Sequence, residues 1–150
     1  MHLTLHYVGP VDAKRRSLLL LAASRVRAAP FDLRLDRLGC WRRKRIYWAG
    51  CATSSPQLLF LREALRLELL RIGEKCAGEN FSPHVTLRRD VRTSPQSAPM
   101  QGQDIDIAWR VNEMVLLESC LRDCAAPIYR PLSSFPLRSP AIDHQGSRSN

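Results

Sequence analysis

An α+β fold with antiparallel sheets is predicted by two observations. Strand-like and helix-like segments mix along the chain without the regular alternation of a parallel sheet. The pattern His-x-Thr-Leu also occurs twice, as His2-Leu-Thr-Leu5 and His84-Val-Thr-Leu87. The copies begin 82 residues apart in a chain of 150, which suggests a bilobal molecule with an internal pseudo-twofold and one motif in each lobe.

Residues 2–8 alternate polar and apolar and predict a strand, stopped by Gly9-Pro10. Asp12 is the N-cap of a helix over 13–28 whose buried side carries Leu18, Leu19, Ala22 and Val26, with Pro30 ending it. Phe31, Leu33, Leu35 and, less regularly, Leu38 alternate with polar residues as a half-wet strand. A basic turn over 39–45 leads into a strand at Ile46-Tyr-Trp-Ala-Gly50. Ser54-Ser-Pro56 starts a second helix with Leu58, Leu61, Leu65, Leu69 and Ile72 at helical spacing, and Gly73 stops it. After a loop over 74–80, the second motif occupies a strand at 84–88. An exposed loop is expected over 93–103, strands at 105–111 and 113–120, and a last one around 128–132. Residues 137–150 lack apolar periodicity and are expected to be a disordered tail after a domain spanning 1–136.

Composition narrows the class. The chain is 45% hydrophobic and 25% charged, as in soluble globular domains. A net charge of +9 favours a polyanionic partner, although arginine-rich genome composition produces the same excess. The five cysteines are scattered without a Cys-x-x-Cys pair, which argues against a structural zinc site and for a reducing cytoplasm. The apolar run at 18–23 is too short to span a bilayer, and no leader is expected before Met1.

In an extended strand, each motif points its histidine and threonine one way and its aliphatic residues the other. Imidazole is the side chain most easily poised near neutral pH, so one histidine can take a proton from water while another gives one to a leaving oxygen. The hydroxyls of Thr4 and Thr86 can hold non-bridging phosphate oxygens, and Arg88 or Arg89 can neutralise the developing charge. Strict alternation from His84 puts Arg88 on the histidine face; a bend after Leu87 would put Arg89 there instead. A single His-x-Thr-Leu is common by chance, whereas two in strand context are harder to dismiss. His6 shares a face with His2, so a metal site of His2, His6 and His84 is the competing arrangement. It is disfavoured because no carboxylate or thiol joins that face.

The two motifs resemble the paired motifs (HXTX) of the two-histidine phosphoesterase superfamily, and within it the bacterial RNA 2′,3′-cyclic phosphodiesterases, historically called 2′-5′ RNA ligases. Gly39-Cys-Trp41, Arg45-Ile-Tyr-Trp-Ala-Gly50 and Phe81-Ser-Pro-His-Val-Thr-Leu-Arg-Arg-Asp90 are similar to family segments in the same order. The resemblance implies a bilobal fold with two antiparallel sheets lining a central cleft and helices outside. It implies metal-independent hydrolysis of RNA 2′,3′-cyclic phosphate ends to 2′-phosphomonoesters, with reversible 2′-5′ ligation as a related activity and no cofactor. His2 is then the proton donor to the 3′-oxygen, His84 the base, Thr4 and Thr86 the phosphate ligands, and Arg89 the arginine that follows the second motif. Phe81 and Trp48 are candidates for stacking on a base, although a core role is commoner for both.

Family members usually carry a strand and a long helix before the first motif, so a shortened first lobe is expected, with His2 less firmly held. The competing functional reading is therefore a module that binds RNA ends or nucleotides with little or no turnover. A cytoplasmic monomer with an RNA end as partner and no membrane association completes the expectation.

Overall fold

The computed structural model describes residues 1–76, 81–90, 104–120 and 128–139. Its elements are helix α1 (Ala13–Arg25), strand β1 (Phe31–Trp41), a 3-10 turn (Arg42–Lys44), β2 (Ile46–Gly50), helix α2 (Pro56–Arg71), β3 (His84–Arg88), β4 (Asp104–Val111), β5 (Glu113–Cys120) and β6 (Ile128–Pro136). They form an α+β architecture with two antiparallel sheets, one of four strands in the order β3-β2-β1-β4 and one of two strands, β5-β6.

The helix boundaries follow local chemistry. The Asp12 carboxylate accepts from the Arg15 backbone N–H at 2.7 Å and starts α1. Ser55 caps α2 and is followed by Pro56 in its first turn. Gly73, at φ +82°, ends α2: its N–H reaches the Leu70 carbonyl and that of Glu74 reaches the Leu69 carbonyl. This paired closure requires a left-handed residue, which glycine supplies without strain.

The alternating residues Phe31, Leu33 and Leu35 of β1 are buried together with Ala49, Val85, Met114 and Leu137, and Leu58 and Leu61 of α2 complete this core. A second cluster joins Leu19 and Ala22 of α1 to Leu69 of α2. The irregular position of Leu38 has a physical cause. The pairing with β4 shifts between Leu35 and Arg37, so Asp36 breaks the alternation.

Four expectations are corrected. Residues 2–8 form no regular strand; Leu3 alone makes an antiparallel bridge, to Val85. Helix α1 stops at Arg25 instead of reaching 28, because Ala28 is drawn into an antiparallel bridge with Arg138. Leu18, expected on the buried side of α1, is exposed. The packed chain also continues past 136: Leu137 is only 7% exposed, and its N–H donates to the Asn112 carbonyl at 2.8 Å. The loop expected over 93–103 and residues 140–150 of the expected tail lie outside the described residues. No helix among the described residues is long and apolar enough to cross a membrane.

Candidate active site

The second motif is set on β3 by register. Gly50 pairs with His84, Ala49 with Val85, and Trp48 with Thr86. Val85 faces the core, so His84 and Thr86 face away from it, on the side of the sheet opposite α2. Leu3 then pairs antiparallel with Val85 on the outer edge of the same strand. That register, carried one residue each way, places His2 beside Thr86 and Thr4 beside His84. The Leu3–Val85 pair is thus a local twofold centre that relates the two motifs. The histidines stand diagonally across it, a separation of roughly 7–8 Å between such positions in a sheet.

Each imidazole is held by a ring. His2 packs edge-on against Tyr129 of β6, with centroids 4.4 Å apart, which ties the first motif to the second sheet. His84 packs edge-on against Trp41 at 4.5 Å. His84 Nδ1 lies 2.8 Å from the Ser82 carbonyl oxygen. A carbonyl only accepts, so Nδ1 carries the proton and neutral His84 presents an Nε2 lone pair, the form a general base requires. His2 is held below the ordinary imidazole value of 6.5. Burial is the main cause, followed by the N-terminal ammonium, Arg89 and His84.

A bulge precedes the two arginines at the end of β3. Trp48 pairs with Thr86 but its neighbour Tyr47 pairs with Arg88, so Leu87 is an extra residue. Arg88 is thereby turned to the Tyr47 side, away from Thr86, and Arg89 follows where the chain bends. The charge of Arg89 is among those acting on His2.

Two glycines make room on this face. A Cβ on Gly39 would stand 2.2 Å from Trp48, and one on Gly50 would stand 2.7 Å from the Pro83 carbonyl oxygen and 3.0 Å from Trp48. Trp48 therefore lies over Gly39, its cross-strand partner, with Trp41 beside it at 5.5 Å. The Trp48 indole N–H is buried without a partner among the described residues.

The remaining candidates are dispersed. Phe81 packs against the core and under the Arg62 guanidinium, 4.6 Å from its ring, which leaves it poorly placed to receive a base. The His6 ring nitrogen lies 3.4 Å from the Arg62 carbonyl, so His6 is turned toward α2. Among the described residues no group of three His, Cys, Asp or Glu side chains is arranged to hold a metal ion. Sequence reasoning overlooked Tyr129, Trp41 and the Ser82 carbonyl. The first two are single aromatics whose proximity depends on pairing and twist, and a carbonyl carries no residue-type signal.

The first segment is anchored from outside the site. Arg15 forms a bidentate ion pair with Glu74 and also donates to the carbonyls of Pro10 at 2.9 Å and Val8 at 3.1 Å. One guanidinium thus joins the turn after the first motif, the start of α1 and the chain leaving α2. Glu74, only 7% exposed, is held below the usual carboxylate range chiefly by its hydrogen bond from Arg15.

A family model described as the 2′-5′ RNA ligase superfamily matches residues 1–120. The chain belongs to that superfamily. It is 39% identical over 90 residues to the RNA 2′,3′-cyclic phosphodiesterase of Escherichia coli, a match covering 60% of this chain and 51% of that protein. It is 34% identical over 140 residues to the RNA 2′,3′-cyclic phosphodiesterase of Thermotoga maritima, covering 88% of this chain and 73% of that one. The fold is similar to that of E. coli LigT crystallised with 3′-AMP, with a TM-score of 0.76, 32% identity, and coverage of 91% of this chain and 76% of that chain. The chain thus spans about half the length of the E. coli relative and about three quarters of the other two.

Proposed function

We propose that the protein hydrolyses RNA 2′,3′-cyclic phosphate ends to 2′-phosphomonoesters without a metal ion, using His84 as base and His2 as acid. The observation that carries this reading is the Leu3–Val85 pairing, which sets both motifs around one point. The names of its relatives and the excess of positive charge agree with an RNA end as substrate.

In the proposed reaction His84 Nε2 takes a proton from water, and the hydroxide attacks phosphorus in line with the 3′-oxygen. The bond to the 3′-oxygen breaks as the His2 imidazolium protonates it. Thr4 and Thr86 donate to the non-bridging oxygens, and Arg89 offsets the charge that develops on them. An RNA 5′-hydroxyl in place of water gives a 2′-5′ linkage with the same acid and base.

The test is turnover of a nucleoside 2′,3′-cyclic phosphate in the presence of a chelator. His84→Ala and His2→Ala should each lower kcat by about 10²–10⁴-fold, the usual contribution of a positioned proton-transfer group. A requirement for added zinc would overturn the mechanism. The lowered basicity of His2 favours a second reading, because a neutral imidazole is a poor donor at neutral pH. Tight binding of a 2′-phosphorylated RNA end by folded protein without turnover would establish that module instead.

A further inference from the structure

We propose that Trp41 and the turn Arg42–Lys44 form a subsite for the nucleotide on the 5′ side of the terminal phosphate, so that an oligonucleotide is preferred to a mononucleotide. The inference rests on the reading of the His2–His84 site as one for RNA ends. A 2′,3′-cyclic phosphate closes the 3′ end of a strand. The remaining phosphates of an RNA therefore continue from the site in one chemical direction only, and a subsite for them must border it.

What adjoins His84 is Trp41, whose ring is 4.5 Å from the imidazole. Trp41 closes β1 and is followed at once by Arg42, Arg43, Lys44 and Arg45. Four consecutive cations at a strand-to-strand turn repel one another, yet none of them enters an ion pair among the described residues. The exposed acids that are paired are claimed elsewhere, as in Arg34–Asp106 and Arg110–Asp32 on β1 and β4. The Lys44 ammonium instead sits 5.6 Å over the Trp41 ring. Cys40, Trp41, Arg42, Arg43 and Lys44 line an open concavity of about 400 Å³.

An aromatic face beside unpaired cations is the chemistry of single-stranded nucleic-acid binding, where a base stacks and arginines follow the backbone. An arriving base would replace the Lys44 ammonium on Trp41 and release it to a phosphate. Arginine forks suit the phosphates on either side. Phosphate contacts of this kind add affinity without reading sequence.

The test uses a 5′-fluorescein hexaribonucleotide ending in a 3′-phosphate for binding, and the same hexamer with a 2′,3′-cyclic phosphate alongside a nucleoside 2′,3′-cyclic phosphate for kinetics. In the triple variant Arg42→Ala/Arg43→Ala/Lys44→Ala, checked for fold by circular dichroism, the hexamer Kd and KM should weaken by about tenfold or more while the nucleoside retains its kinetic constants. The salt dependence of hexamer binding should flatten by about 0.7 in log–log slope for each phosphate that the protein no longer neutralises. Trp41→Ala should weaken the hexamer beyond its effect on the nucleoside. Equal losses on both substrates, or an unchanged hexamer Kd, would overturn the subsite. If the wild-type chain turns over neither substrate, the hydrolytic reading fails, and the hexamer Kd in the triple variant decides the subsite alone.

Discussion

Trp48 lies over its cross-strand partner Gly39 so closely that a methyl group there would stand 2.2 Å from the indole Cζ2. Trp48 is in turn the sheet partner of Thr86, so the space above Gly39 positions the strand that carries the second motif. Gly39→Ala is expected to destabilise the protein by about 1–3 kcal/mol, the usual cost of overpacking, because the indole must leave its place. Tryptophan emission should shift and turnover should fall together; an unchanged spectrum would contradict the dependence on Trp48.

Gly50 is more tightly constrained, because its obstruction is the backbone carbonyl of Pro83 at 2.7 Å, next to His84. Backbone cannot swing aside as a side chain can. If His84 is the base, as proposed, Gly50→Ala is expected to displace the start of β3 and lower kcat by about a hundredfold, the scale of ångström misplacement in a catalytic group. Turnover equal to wild type in a folded Gly50→Ala protein would rule this out.

Arg89 lowers the basicity of His2, so Arg89→Gln should raise the His2 titration point toward 6.5 without fully restoring it, since burial is the larger cause. Histidine ring proton shifts followed against pH measure this directly. In the proposed mechanism the alkaline limb of kcat/KM belongs to His2, and for the free protein it should lie below 6.5. A bound phosphate favours the imidazolium, so the corresponding limb of kcat should move upward in pH. Coincident limbs would show that His2 is not the acid.

Folding depends on these histidines in a predictable direction. His2 and His6 are both held below 6.5 in the folded protein, mainly by burial, so the unfolded chain takes up protons first. Their contribution to stability is complete above 6.5 and is lost as pH falls through the folded values. Glu74 contributes stability that is present above its ordinary value of 4.5 and is lost as pH falls through its lowered folded value, a second loss at lower pH. Glu74→Gln should lower Tm at pH 7 and remove that second loss; an unaltered acid limb of the Tm profile would show that the Arg15 clamp contributes nothing.

Leu61 lies on α2, on the far side of the sheet from the motif side chains, and is 1% exposed. Leu61→Ala should cost about 2–5 kcal/mol of stability through the cavity it leaves. KM for a cyclic phosphate should be unaffected below the shifted Tm. A raised KM with unchanged stability would place α2 in the site.

The hydrophobic periods of β1, β2, α2 and β3 were readable in the chain because each buries one face and so repeats at its own spacing. The paired His-x-Thr-Leu pattern carried the family for a related reason, since two side-chain types at one spacing must recur together. Residues 2–8 misled: their alternation predicted a strand, but a strand needs a partner along its length, and only Leu3 has one, in Val85. The sequence likewise left open which arginine shares the histidine side of the strand, because a bulge is a mismatch between two strands and has no signature in either alone. Tertiary structure decided that Leu87 is the extra residue, that Trp41 and Tyr129 hold the two histidines, and that Arg15 and Glu74 tie the first segment down. Chemical type and local period are properties of the chain; register, pairing and proximity arise only when separate segments meet.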